Sequence, residues 1–124
     1  MIHDIHHASL LVADTGRALA FYRDLLGLAP AERPPLGFPG AWLQVGARQI
    51  HLLELPNPDP VQGRPEHGGR DRHLALCISA LDPLIDRLGA AGVVYTLSRS
   101  GRRALFCRDP DGNALEFVEV PAAT

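Results

Sequence analysis

Asp109-Pro110-Asp111-Gly112-Asn113-Ala114-Leu115-Glu116-Phe117 is the stretch whose reading decides the fold. Its first four residues carry the turn chemistry of a hairpin: a proline that presets one backbone angle, aspartates that bond their own main chain, and a glycine. Residues 114–120 then alternate as a strand. On it Glu116 stands between Leu115 and Phe117 and faces the other way from both. A carboxylate between apolar neighbours on an inner strand is costly unless something pairs with it.

Working back from this turn, residues 104–107 and 93–97 read as strands. Residues 82–91 read as a helix, with Pro83 in its first turn and Gly92 after its end. Residues 74–78 read as a strand. His73, at its start, shares a face with Ala75 and Cys77, opposite Leu74, Leu76 and Ile78. Before it, residues 56–71 are rich in proline and glycine and show no periodicity, so they read as a loop. His67 lies there, and closing over the site or ordinary exposure are equal expectations for it.

Further back the same plan appears once more. Residues 5–12 read as a buried strand, with His7, Ser9 and Leu11 on one face and Ala8, Leu10 and Val12 on the other, under a helix. Asp14 is placed as an N-cap. From 17 to 26, Ala18, Leu19, Phe21, Tyr22, Leu25 and Leu26 recur at helical spacing, and Gly27 stops the helix. Residues 41–45 and 49–55 read as two strands joined at Gly46-Ala47, and His51 shares a face with Gln49 and Leu53.

The chain thus reads as one domain over 1–124, with module one at about 1–55, a linker at 56–71 and module two at about 72–120. Each module carries a polar residue on its first strand and another on its last. His7 and His51 are 44 positions apart, and His73 and Glu116 are 43 apart. That regularity indicates an internal duplication. Taken singly, each histidine reads as a core histidine. Taken together, three imidazoles and a carboxylate at repeated positions point to one divalent metal: Zn, Ni, Fe, Mn or Co.

The bulk composition excludes several classes. Hydrophobic residues make up 46% and charged residues 21% of the 124, which is globular and not disordered. A net charge of −2 gives no general attraction for nucleic acid or anionic lipid. No apolar run approaches the roughly 20 residues of a membrane span. Met1-Ile2-His3-Asp4 does not open a secretory leader. Cys77 and Cys107 read as reduced core filler, which places the protein in the cytoplasm.

The chain resembles the vicinal oxygen chelate superfamily, which holds glyoxalase I, extradiol dioxygenases, fosfomycin-resistance thiol transferases, methylmalonyl-CoA epimerase and bleomycin-resistance proteins. The resemblance is carried by His7 with 9–14, Phe21-Tyr22-Arg23-Asp24-Leu25-Leu26-Gly27-Leu28, Ile50-His51-Leu52, Arg72-His73-Leu74-Ala75-Leu76 and the 109–116 run. It implies an α+β fold: two tandem β-α-β-β-β modules with curved mixed sheets forming a cup around a metal site. It implies a homodimer, in which the ligands come from one chain or from two, and a small-molecule substrate chelated through two vicinal oxygens. His7, His51, His73 and Glu116 are its implied metal ligands, with Glu116 and His51 also the candidate proton-moving groups.

The departures matter as well. Glyoxalase I of the single-domain bacterial type places Glu where this chain has His51, which argues against that isomerisation in its strict form. His7, His73 and Glu116 match the two-histidine, one-carboxylate set of the dioxygenases and thiol transferases, and His51 is then a fourth ligand or an acid–base group beside the metal. The potassium loop of the fosfomycin enzymes is Ser-Glu-Gly, against Ser100-Gly101-Arg102 here. Ser9, Arg99, Arg102 and Arg103 are candidate substrate contacts, the three arginines as an anion clamp or else a solvated hairpin. Trp42 and Phe38 read as packing residues, with stacking on a substrate the alternative. An enzyme of lyase, isomerase or dioxygenase type follows best; a non-catalytic small-molecule-binding or resistance protein is the other reading.

Overall fold

The structure is a computed structural model and describes residues 1–121. The described residues divide into two compact units, Met1–Asp59 and those from Pro60 onward. In the first unit the order is β1 (His7–Val12), α1 (Thr15–Leu19), a π-helical segment (Ala20–Leu25), β2 (Ala29–Ala31), β3 (Gly40–Val45) and β4 (Arg48–Glu54). In the second it is a 3₁₀ turn (Gly68–Arg70), β5 (His73–Ile78), α2 (Asp82–Ala90), β6 (Tyr95–Leu97), β7 (Ala104–Arg108) and β8 (Ala114–Glu119). The sheets run β1-β4-β3-β2 and β5-β8-β7-β6, each open and mixed: the first pair is parallel and the rest antiparallel. This is the expected α+β arrangement of two β-α-β-β-β modules.

Both units bury the face that their sequence alternation marks. Val12, Leu43, Ile50 and Leu52 in the first, and Leu105, Leu115 and Phe117 in the second, are sealed from water together with Phe21, Tyr22, Leu84 and Leu88 of the helices. Each such side chain contributes about 1.5–3 kcal/mol by leaving water. The opposite face of each sheet mixes polar and small residues with a few large apolar ones such as Trp42 and Phe106, and that is where His7, His51, His73 and Glu116 stand.

The expected N-cap forms: Asp14 Oδ1 accepts from the Arg17 amide at 2.8 Å. A second brace, not anticipated, repeats in both units. Glu54, ending β4, accepts from the Thr15 amide at 2.7 Å. Glu119, ending β8, accepts from the Leu81 amide at 2.9 Å, one residue before α2. A carboxylate from the last strand therefore ties down the helix start in each unit, where unpaired N–H groups and the helix dipole favour negative charge.

Four expectations are corrected. The first strand begins at His7, since Ile5 is 74% exposed, and along it only Val12 is buried. The first helix is not uniform. From Ala20 its turn widens, with the Leu26 amide bonding the Phe21 carbonyl at 2.9 Å, so that consecutive Phe21 and Tyr22 are both buried and meet edge to face. Strand β2 was not foreseen, because three residues around Pro30 give no alternation; as the outer strand it tolerates a proline. Cys77 is exposed, so only Cys107 is core filler.

The stretch before β5 is more structured than a bare loop. Asp71 accepts from Arg64 Nε at 2.8 Å, Arg64 Nη2 at 3.0 Å, Arg108 Nη1 at 2.8 Å and the Arg72 amide at 2.8 Å. Gly69 has no room for a side chain: a Cβ there would lie 2.8 Å from His67 Nε2. The hydrogen bond from Arg64, then those from Arg108 and the Arg72 amide, outweigh burial and hold the Asp71 carboxyl well below the usual range. Asp71→Asn is expected to destabilise the protein by roughly 3 kcal/mol, measured by urea unfolding at neutral pH. Because the folded pKa is depressed, this contribution is present above the unfolded carboxylate value of about 3.9 and is lost as pH falls below it; the variant loses the corresponding part of its acid sensitivity.

Candidate functional site

In the second unit β5 and β8 run parallel with Ala75 opposite Glu116, and β7 places Phe106 on Glu116's other side. His73, two residues before Ala75, shares that face. Glu116 is 2% exposed. Its Oε1 lies 3.2 Å from His73 Nε2, and its Oε2 accepts from Arg102 Nη2 at 2.8 Å.

The other imidazole nitrogen decides what this contact means. His73 Nδ1 is 2.8 Å from the Asp71 carbonyl. A carbonyl only accepts, so Nδ1 carries the hydrogen. In the neutral ring Nε2 then holds a lone pair aimed at a carboxylate oxygen. Two acceptors at that distance need a positive charge between or upon them: a proton, or a metal cation. The donor set and its orientation fit a divalent cation.

Phe106 packs edge-on against His73 (5.1 Å, 85°) and His67 (4.9 Å, 69°). His67 is buried, not an exposed loop residue, and its Nδ1 is 2.7 Å from Thr96 Oγ1. Burial first, then the charges of Arg99, Arg70 and His73, push its pKa down. Thr96 pairs with Phe106 in register, so His67 covers the strand row that contains Glu116.

The first unit has the same row in the same register. Ser9 stands opposite His51, and His51 opposite Trp42. His51 thus occupies the place that Glu116 holds in its own unit, Trp42 that of Phe106, and His7 that of His73. His51 is sandwiched between Trp42 (4.0 Å, 4°) and His7 (4.0 Å, 20°). Trp42 therefore stacks on a candidate ligand. His7 Nδ1 also lies 2.9 Å from His6 Nδ1.

A chain of amides sets the His51 ring. Gln44 Nε2 donates to the carbonyls of Gly46 (2.9 Å) and Arg48 (3.2 Å). Gln44 Oε1 is thereby free to accept from Gln49 Nε2 at 3.2 Å, and Gln49 presents Oε1 to His51 Nε2 at 2.8 Å. His51 Nε2 then carries the hydrogen, and its lone pair is on Nδ1. Burial, then the charges of His7, His6 and Arg33, lower the His51 pKa. The neutral ring, which is the form that binds metal, is favoured.

Each unit therefore brings together two of the four candidate ligands. Among the described residues no three His, Cys, Asp or Glu side chains gather as one metal-binding group. The three arginines divide: Arg102 reaches Glu116, Arg103 bonds Glu119 (3.1 Å) and Asp82 (3.3 Å), and Arg99 is exposed. Sequence reasoning missed Asp71, Gln44 and Gln49. Gln49 had one visible signal, its place two residues from His51 on the same strand face. His51 is expected to titrate below the ordinary imidazole value of about 6.5, read from ring-proton NMR shifts against pH. With the folded value depressed, stability from this group is complete above 6.5 and declines as pH falls through the His51 midpoint.

Residues 4–117 match the pattern of the Glyoxalase/Bleomycin resistance protein/Dioxygenase superfamily. The chain belongs to that superfamily. It is 30% identical over 119 residues to the protein Glyoxylase I 4 of Arabidopsis thaliana, covering 91% of this chain and 68% of the relative. It is 28% identical over 123 residues to metallothiol transferase FosB of Shouchella clausii, covering 94% and 80%. In fold it is similar to the fosfomycin resistance protein FosX of Listeria monocytogenes, solved as a point mutant complexed with Mn(II) and dihydroxypropylphosphonic acid (TM-score 0.76, 20% identity, 96% and 93% covered).

Proposed function

We propose that the protein is a metal-dependent enzyme acting on a small molecule that presents two neighbouring oxygens, with His7, His51, His73 and Glu116 as the metal ligands. The observation that carries this reading is the lone pair of His73 Nε2 facing a 2%-exposed carboxylate, with Nδ1 already committed to the Asp71 carbonyl. The register equivalence of His7 with His73 and of His51 with Glu116 supports all four positions together. The ligands meet within one chain or across a homodimer.

A divalent cation bound there supplies Lewis-acid polarisation of the chelated oxygens. The side chains do the rest. Glu116, on the sheet's polar face, takes up a proton from the substrate carbon or oxygen beside it. Arg102, whose side chain is 57% exposed, swings between Glu116 and solvent and neutralises the carboxylate when no cation is held. His51, wired through Gln49, keeps one tautomer and gives or takes a proton at Nδ1. Ser9 contacts the substrate from the same strand row, and Arg99 with Arg102 attracts an acidic one. The reaction is of lyase, isomerase or dioxygenase type. The free thiols accord with a reducing cytoplasm, and among the described residues no helix is long and apolar enough to cross a membrane.

A second reading has one observation in its favour. The Arg102–Glu116 pair satisfies the buried carboxylate without any metal, as a binding protein that performs no chemistry would require. Metal analysis of protein purified without chelator separates the two. The expected result is about one transition-metal ion per site, with His73→Ala weakening zinc or manganese affinity by at least about a hundredfold, the upper range for disturbing groups around a metal. Protein free of metal, whose affinity His73→Ala leaves unchanged, overturns the enzyme reading in favour of the binder.

A further inference from the structure

The segment between β2 and β3 folds Arg33 back upon it. Arg33 Nη2 donates to the Phe38 carbonyl at 2.8 Å, and its guanidinium carbon lies 5.1 Å from the Phe38 ring centre. One arm of the fork is thereby fixed. Arg33 Nε is buried and has no hydrogen-bond acceptor. Among the described residues no carboxylate pairs with Arg33. A guanidinium cannot shed its charge, so a donor shut away without an acceptor is a standing cost that an anionic acceptor removes.

Arg33 borders a cavity of about 70 Å³, shared with Ser9, Phe38, Trp42, His51 and Leu53. A single water needs about 10–15 Å³ of such space, so this one has room for a small acid group, and two donors on its wall suit the two oxygens of a planar carboxylate. Ser9 and His51 face each other across β1 and β4, which puts a hydroxyl and a candidate ligand on the same wall. Trp42, flat against His51, lines the same space.

We propose that this cavity seats a carboxylate of the substrate, anchored by Arg33 through charge-assisted hydrogen bonds with Ser9 as the second donor, so that the substrate is a small hydroxy- or oxo-acid. The assignment rests on reading His51 as part of the metal centre, since that places the acid's neighbouring oxygens beside the cation. Arg33 is then a specificity residue and takes no part in the chemical step. Its positive charge also acts on His51, where it is one of the influences that favour the neutral ring.

The chain contains one tryptophan, and it is Trp42, so emission excited selectively from tryptophan, apart from the two tyrosines, reports on this cavity. The experiment titrates metal-free full-length protein with lactate, with lactamide as the uncharged match, and with inorganic phosphate. Lactate is expected to change Trp42 emission saturably, lactamide is not, and phosphate binds more weakly than lactate. Arg33→Gln is expected to weaken the lactate response by about tenfold or more, a difference of one decade in affinity. Should that variant fold poorly, the wild type alone decides. In arginine-labelled protein the Arg33 Nε–H resonance shifts with lactate and stays still with lactamide. Equal responses to lactate and lactamide, an unmoved Arg33 resonance, or phosphate binding tighter than lactate overturns the anchor. A parallel zinc titration keeps the two readings apart. Zinc bound without any lactate response removes the anchor alone; a lactate response through Arg33 without zinc binding removes the metal reading and leaves the anchor standing.

Discussion

The polar half of this molecule depends on one buried carboxylate. Glu116 sits on a strand whose neighbours Leu115 and Phe117 point into the core, and it is itself almost fully withdrawn from water. An isolated charge there would be strongly unfavourable. Everything around it answers that demand: Arg102 reaches in from solvent with its charge, and the Asp71 carbonyl holds the His73 ring so that Nε2 stands 3.2 Å from the carboxylate, where a shared proton or cation supplies the rest. The arginine cluster on Asp71 in turn fixes the chain just before β5, so a salt-bridge knot in an apparently shapeless segment aims a ring on the neighbouring strand.

The first unit solves a milder version of the problem. An imidazole in the equivalent register needs no counter-charge, and stacking between Trp42 and His7 replaces the ion pair. Its orientation comes from the Gln44–Gln49 amide chain. Both units therefore hold a ligand candidate by its far side and leave the near side available, the arrangement that metal sites use to fix ring orientation.

Much of the architecture was legible in the sequence because apolar alternation, the 109–112 turn and the repeated helix stops are local signals. The elements that escaped have particular causes. Strand β2 is three residues long and carries Pro30, so pairing with β3 creates it and propensity does not. The widened turn at Phe21-Tyr22 obeys packing against the sheet, which a uniform helical period cannot anticipate. The four ligand candidates could be picked out because strand alternation isolates them from their apolar neighbours. Their supports could not: Asp71 acts through a main-chain oxygen, Arg33 through a fold of its own loop, and Glu54 and Glu119 look like ordinary strand-end charges until the helix starts are in place. Grouping Arg99, Arg102 and Arg103 by adjacency failed to foresee that they part company, because they lie in the bent connection between β6 and β7, where Gly101 takes a positive φ and turns the chain between them.

The equivalence of the His51 and Glu116 positions has a consequence for the electrostatics of each unit's polar row. The scaffold fixes where a donor stands and leaves its formal charge to a single codon. With imidazole at that position the row offers two neutral donors, and with carboxylate it offers one neutral donor and one negative charge. Exchanging one for the other would change the pull on a cation without changing the register. A fold built by duplication can thus tune the charge of a donor row without moving a strand.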